Sequence, residues 1–160
     1  MRTQAKELGL AIIGGGRVGL FRGEVANRHP AVKWVGLAEK NPNRAGEVAP
    51  KVGADFVTQS HVELLQRPEV TCAIIATDEH LHVEPILAAA ERGIPLLIEK
   101  PLATDLAQSA RVLKIIKDAK IDAVVGYTQR DNWLNTEKTG QVFPMSTMPG
   151  EMVEGSSVRL

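Results

Sequence analysis

The chain has 160 residues, enough for one domain of ordinary size around a single core. Its 19 basic and 19 acidic residues cancel, so it lacks the concentrated basic face that nucleic acid or an anionic membrane requires. A single cysteine, Cys72, can form no internal disulfide and fits a reducing, cytoplasmic setting, where it reads as a small buried hydrophobe rather than a catalytic thiol.

Leu8 to Ile13 (LGLAII) reads as a first strand. It is too short for a membrane span and runs straight into Gly14-Gly15-Gly16. Residues 17 to 28 mix Val18, Leu20, Phe21 and Val25 with charged side chains, as a helix with one buried face would, and Pro30 stops them. Ala31 to Ala38 forms a second strand ending at Glu39. Asn41-Pro42-Asn43 then opens a helix that runs through Val52. A brief third strand spans Ala54 to Val57. Ser60 with Glu63 makes a capping box for a helix that ends before Pro68.

Thr71 to Thr77 is a fourth strand, apolar at its centre as a parallel strand covered on both faces must be. A helix over residues 82 to 92 carries Pro85 in its first turn and Gly93 just past its end. Ile94 to Ile98 is the fifth strand, leading into Glu99-Lys100-Pro101. The helix from Asp105 to Ala119 and the strand from Ala123 to Tyr127 complete the series. Strands alternating with helices predict an α/β fold: a doubly wound parallel sheet in a three-layer αβα sandwich with right-handed crossovers. The regular part is a domain over residues 1–130. Residues 131–160 hold no clean periodicity and are expected to form an irregular tail, with Trp133, Leu134, Val142 and Phe143 available to dock it.

The first strand, the turn Gly14-x-Gly16-x-x-Gly19, a helix, and an acid twenty residues beyond the last glycine form the fingerprint of a Rossmann unit that holds a dinucleotide. Gly14 permits the tight turn, Gly16 lets backbone approach a pyrophosphate, and Gly19 lets the helix pack closely on the strand. Arg17 and Val18 open the helix, whose N-terminal N–H groups and dipole favour an anion. The same glycines would equally serve a turn that only packs a βαβ unit. Glu39 is placed to receive the adenosine ribose and repel a 2′-phosphate, which favours NAD. Lys40 and Arg44 follow closely and could instead clamp that phosphate, so NADP is the alternative cofactor.

With the glycine turn and Glu99-Lys100-Pro101-Leu102-Ala103 both in view, residues 7 to 130 resemble the Gfo/Idh/MocA oxidoreductases. Ala76-Thr77 followed by His82, and Gly126-Tyr127, add to the likeness. The resemblance implies an NAD(P)-dependent enzyme that oxidises a sugar, cyclitol or related hydroxyl compound, or runs the reverse reduction. It places Lys100 beside the nicotinamide and the reacting hydroxyl, where an ammonium would orient the oxygen and stabilise its negative charge. A solvated surface lysine is the plainer reading of the same residue. Thr77 and Pro101 fall on the cofactor side of that site. Glu99 is a partner either of Lys100 or of a cofactor ribose, and His82 could touch the nicotinamide half.

Two departures from the family pattern stand out. Asp78-Glu79 follows Thr77 where the family reads Pro-Asn, and two carboxylates there would repel a pyrophosphate unless they point away or pair with cations. The family also carries a second α+β domain, which supplies most of the substrate pocket and the sheet through which its members form homo-oligomers. Residues 131–160 are too few to build it, so the chain is expected to bind a dinucleotide far better than it turns over a substrate. His80 and His82 lack further ligands for a metal, and none is expected. The competing reading is a stand-alone regulatory module that binds a nucleotide or coenzyme A without catalysis, against which Glu39 and Glu99-Lys100-Pro101 argue.

Overall fold

A computed structural model describes residues 7–126 and the backbone of Val158 and Arg159. The elements follow in strict alternation: β1 (Leu8–Ile13), α1 (Arg17–Asn27), β2 (Val32–Ala38), α2 (Pro42–Val52), β3 (Phe56–Thr58) and α3 (His61–Leu65). They continue with β4 (Cys72–Ile75), α4 (Val83–Glu91), β5 (Leu96–Glu99), α5 (Leu106–Ala119) and β6 (Ala123–Gly126). Val158–Arg159 form a two-residue β7. All strands are parallel, in the order β3-β2-β1-β4-β5-β6-β7. The order reverses at β1, which pairs with β2 on one side and β4 on the other. The crevice outside the carboxyl ends of those strands is where such sheets hold ligands.

Local chemistry sets most of the boundaries. Asn41 caps α2 by accepting the Asn43 and Arg44 N–H groups, with Pro42 in the first helical position and Gly53 left-handed after the last. Asp105 caps α5 by accepting the Gln108 N–H at 2.8 Å. Ser60 accepts the Glu63 N–H, but the Glu63 carboxylate accepts the Thr58 hydroxyl instead of returning to the Ser60 amide. Only half of the expected capping box therefore forms. A single 3-10 turn at Glu79–Leu81 precedes α4, an element that the sequence pattern does not signal.

Two apolar layers flank the sheet. On one face Leu64, Leu65, Ile86, Val112 and Ile116 of α3, α4 and α5 pack on Ile13, Ile75, Ile98 and Val125. On the other, Leu20, Val48 and Val52 of α1 and α2 pack on Ile12, Leu37 and Ile74. The expected three-layer sandwich is thus present. The stretch from residue 131, expected to be irregular, ends in the β7 pairing with β6. Its remainder lies outside the described residues, as do Tyr127 and the docking candidates Trp133, Leu134, Val142 and Phe143. Among the described residues no helix is long and apolar enough to cross a membrane.

Candidate functional site

The turn after β1 lies over the crevice. Gly14 has φ +99°, and a Cβ there would also fall 2.5 Å from the Ala76 carbonyl oxygen, so only glycine fits the turn. At Gly19 a Cβ would fall 1.9 Å from the Gly14 carbonyl oxygen. Its close contact is therefore mainly with the turn itself. Gly23, not anticipated from the motif, lets α1 settle on the sheet, since a Cβ there would meet Ile12 and Val52 at 2.6 and 2.7 Å.

Gly16 differs from both. Its backbone is ordinary extended chain (φ −65°, ψ −179°), and a Cβ built on it would meet no protein atom within 4 Å. Neither conformation nor packing calls for glycine there. A bare backbone facing open space is what a diphosphate lying against the turn requires. The first N–H groups of α1 have no intrahelical acceptor, no side chain caps them, and no acidic residue occupies the first turn.

Glu39 reaches back from the end of β2 to this turn. Its Oε2 accepts the Gly15 N–H at 2.7 Å and its Oε1 the Asn41 N–H at 2.8 Å, leaving the residue only 7% exposed. Arg44 directs Nη1 toward the same carboxylate at 3.9 Å, whereas Lys40 is exposed. The acid and one of the two candidate phosphate clamps are thus already neighbours. A separate hollow of about 410 Å³ opens behind Glu39, under α2, lined by Pro42, Ala45, Gly46 and Val57.

On the other side of β1, a cleft of about 220 Å³ is walled by Gly16, Arg17 and Val18 from the turn, by Ala76, Thr77 and Asp78 after β4, and by Glu99 and Lys100 after β5. Seven of its eight wall positions come from the two segments and the tripeptide on which the sequence argument rests. The Thr77 hydroxyl is buried with no hydrogen-bond partner, an orphan in a wall that otherwise offers backbone and charge. An open cradle at Gly16 and an unserved donor at Thr77 fit a diphosphate-bridged dinucleotide. Of the two unexpected carboxylates, Asp78 lines this cleft and is exposed. Lys100, also exposed, lines the same cleft; the Lys100–Pro101 peptide is cis.

Two of these residues are held by protein groups that the sequence does not name. Glu99 pairs with Arg22 rather than Lys100: its Oε1 accepts the Arg22 Nε–H at 2.8 Å, an ion pair from α1 to the end of β5. Arg22 gives no sign of this in sequence, being one of several charges on an exposed-looking helix face. His82, expected to touch a cofactor, is 1% exposed and faces protein carbonyls with both ring nitrogens. His80 is exposed, so the two histidines do not converge, and among the described residues no three ligand-type side chains gather into a metal site. Burial pushes the Cys72 thiol up, which disfavours the reactive thiolate.

Residues 8–127 match the family model GFO_IDH_MocA, described as an oxidoreductase family with an NAD-binding Rossmann fold. The chain is 31% identical over 133 residues to levoglucosan dehydrogenase of Pseudarthrobacter phenanthrenivorans, covering 78% of this chain and 34% of that protein. It is 29% identical over 121 residues to scyllo-inositol 2-dehydrogenase (NAD(+)) of Bacillus subtilis, covering 75% and 35%. The solved structure of levoglucosan dehydrogenase in complex with NADH and L-sorbose superposes with a TM-score of 0.69 at 32% identity, over 78% of this chain and 36% of that one. The chain spans about a third of the length of these relatives.

Proposed function

The chain belongs to the Gfo/Idh/MocA oxidoreductases and carries their NAD-binding Rossmann fold, and from that premise we propose that it serves as the cofactor-holding part of a dehydrogenase acting on a sugar, cyclitol or related hydroxyl compound. The observation that carries the reading is the pairing of open space at Gly16 with the orphan Thr77 hydroxyl across one cleft. In this reading the backbone of Gly14, Gly16, Arg17, Val18 and Gly19 receives the diphosphate. Glu39, already oriented by Gly15, accepts the hydroxyls of the adenosine ribose. Thr77 donates or accepts through its unused hydroxyl, and Pro101 shapes the loop behind Lys100. When bound, the nicotinamide supplies hydride transfer.

Lys100 supplies the charge for the substrate side. An ammonium at the carboxyl end of β5 orients a hydroxyl or carbonyl oxygen and stabilises the negative charge that develops on it. The Arg22–Glu99 pair keeps the adjacent carboxylate from neutralising that ammonium. The buried Glu39 supports NAD over NADP, because a 2′-phosphate would meet a carboxylate; Arg44 would have to leave Glu39 to serve such a phosphate. The half-buried Cys72 thiol accords with the cytoplasmic setting proposed for the protein.

Side-by-side titration of the chain with NADH, NADPH and coenzyme A tests the reading. NADH is expected to bind most tightly, at micromolar concentration or above, with negligible turnover of polyols. A clear preference for coenzyme A would replace this reading with that of a non-catalytic carrier-binding module.

A further inference from the structure

His82 sits at the junction between the 3-10 turn and α4, almost fully buried. Its Nδ1 lies 2.8 Å from the Pro101 carbonyl oxygen and its Nε2 3.1 Å from the Thr77 carbonyl oxygen. Carbonyl oxygens only accept, so a protonated ring nitrogen donates to the carbonyl that it faces. The ring thus bridges the two carbonyls, with both nitrogens at hydrogen-bond distance. The two carbonyls belong to the two loops that wall the cleft. Thr77 bears the orphan hydroxyl on one side, and Pro101 directly follows Lys100 on the other.

We propose that His82 is a positioning residue: by bridging the two carbonyls it sets the separation of Thr77 and Lys100, and so controls how the part of a dinucleotide remote from Glu39 is held. The inference rests on the dinucleotide reading for its ligand but not for its geometry. His82 touches no ligand itself. Its influence passes through the backbone of the two loops, which is why a histidine removed from the cleft surface still belongs to the site.

The test uses the whole chain. His82→Phe keeps a ring without donors; His82→Asn keeps a donor near Nδ1 for Pro101, and His82→Gln one near Nε2 for Thr77. Affinities for NADH and for ADP-ribose, which lacks the nicotinamide, are measured for each. His82→Phe is expected to lose about tenfold in NADH affinity while ADP-ribose changes by less than about twofold, with partial recovery in the Asn or Gln variant. Equal loss for both ligands, no loss, or no recovery would overturn the proposal. Two measurements need no nucleotide. Nitrogen-15 spectra of the wild-type ring should show a ring N–H protected from solvent exchange, and a ring N–H that exchanges freely overturns the clamp. Amide exchange at Leu102 and Ala103 should accelerate in His82→Phe while α4 is unaffected, and unchanged exchange overturns it equally. If those two results hold but no nucleotide binds, the dinucleotide reading fails and the clamp stands.

Discussion

The Glu39 carboxylate holds the backbone of Gly15 in place: its Oε2 accepts the Gly15 N–H at 2.7 Å across 24 positions of sequence. The acid therefore shapes the glycine turn before any ligand arrives, and each of its oxygens keeps a lone pair beyond the backbone N–H that it accepts. Glu39→Gln keeps the shape and removes the charge. It is expected to weaken NADH binding about tenfold, in line with the roughly 1.5–3 kcal/mol of a charge-assisted hydrogen bond. The same change should narrow the NADH-over-NADPH ratio by relieving repulsion of a 2′-phosphate. Fluorescence titration with both nucleotides checks both halves of the statement.

Two of the motif glycines should separate by assay. A methyl at Gly19 collides with the Gly14 carbonyl, so Gly19→Ala is expected to lower stability by about 2 kcal/mol or more, read as a drop in thermal midpoint. Gly16→Ala meets nothing and adopts an unstrained backbone, so the midpoint should hold or rise slightly. Its NADH affinity should nevertheless fall about tenfold or more, because the methyl occupies the space proposed for the diphosphate.

Thr77 makes the complementary case. Its hydroxyl is buried without a partner, so Thr77→Val replaces an unserved polar atom by a methyl of similar size. Thermal stability should be unchanged or higher. NADH affinity should fall several-fold, by about 1 kcal/mol for one neutral hydrogen bond. Retained affinity would remove Thr77 from the ligand's contacts.

His61 gives the fold a pH response apart from the site. Burial chiefly, with the nearby Lys40 charge, holds its ring below the ordinary histidine value, while Glu84 opposes the shift. The unfolded chain therefore takes up the proton more readily than the folded one. Stability should rise with pH from the lowered value up to the ordinary one, and the contribution should be lost as pH falls through that window. His61→Gln should flatten this part of the profile of thermal midpoint against pH.

The sheet, its order of alternation and the glycine turn were legible because each rests on short-range signals: apolar runs, caps at Asn41 and Asp105, and glycines at fixed offsets. Element ends moved by a residue or two where hydrogen bonding, which residue type does not report, stops the ladder, as at β4 and β5. Glu39 was legible through its distance from the turn, though not its grip on Gly15. The partner of Glu99, the inward direction of His82 and the missing partner of Thr77 were not, because each depends on where side chains from distant strands converge. Gly23 lacks a motif for a related reason: its need arises from Ile12 and Val52, on separate elements.

Arg22 and Glu99 are 77 positions apart, one on the first helix and the other at the end of the fifth strand. From β1 the sheet grows outward in opposite directions, so this pair closes only when the later half has assembled beside the earlier one. Such a long-range contact costs loop-closure entropy before it gives anything back, which makes it a marker of the last stage of folding. In stopped-flow kinetics, Arg22→Leu should leave the refolding rate almost intact and express its destabilisation as faster unfolding.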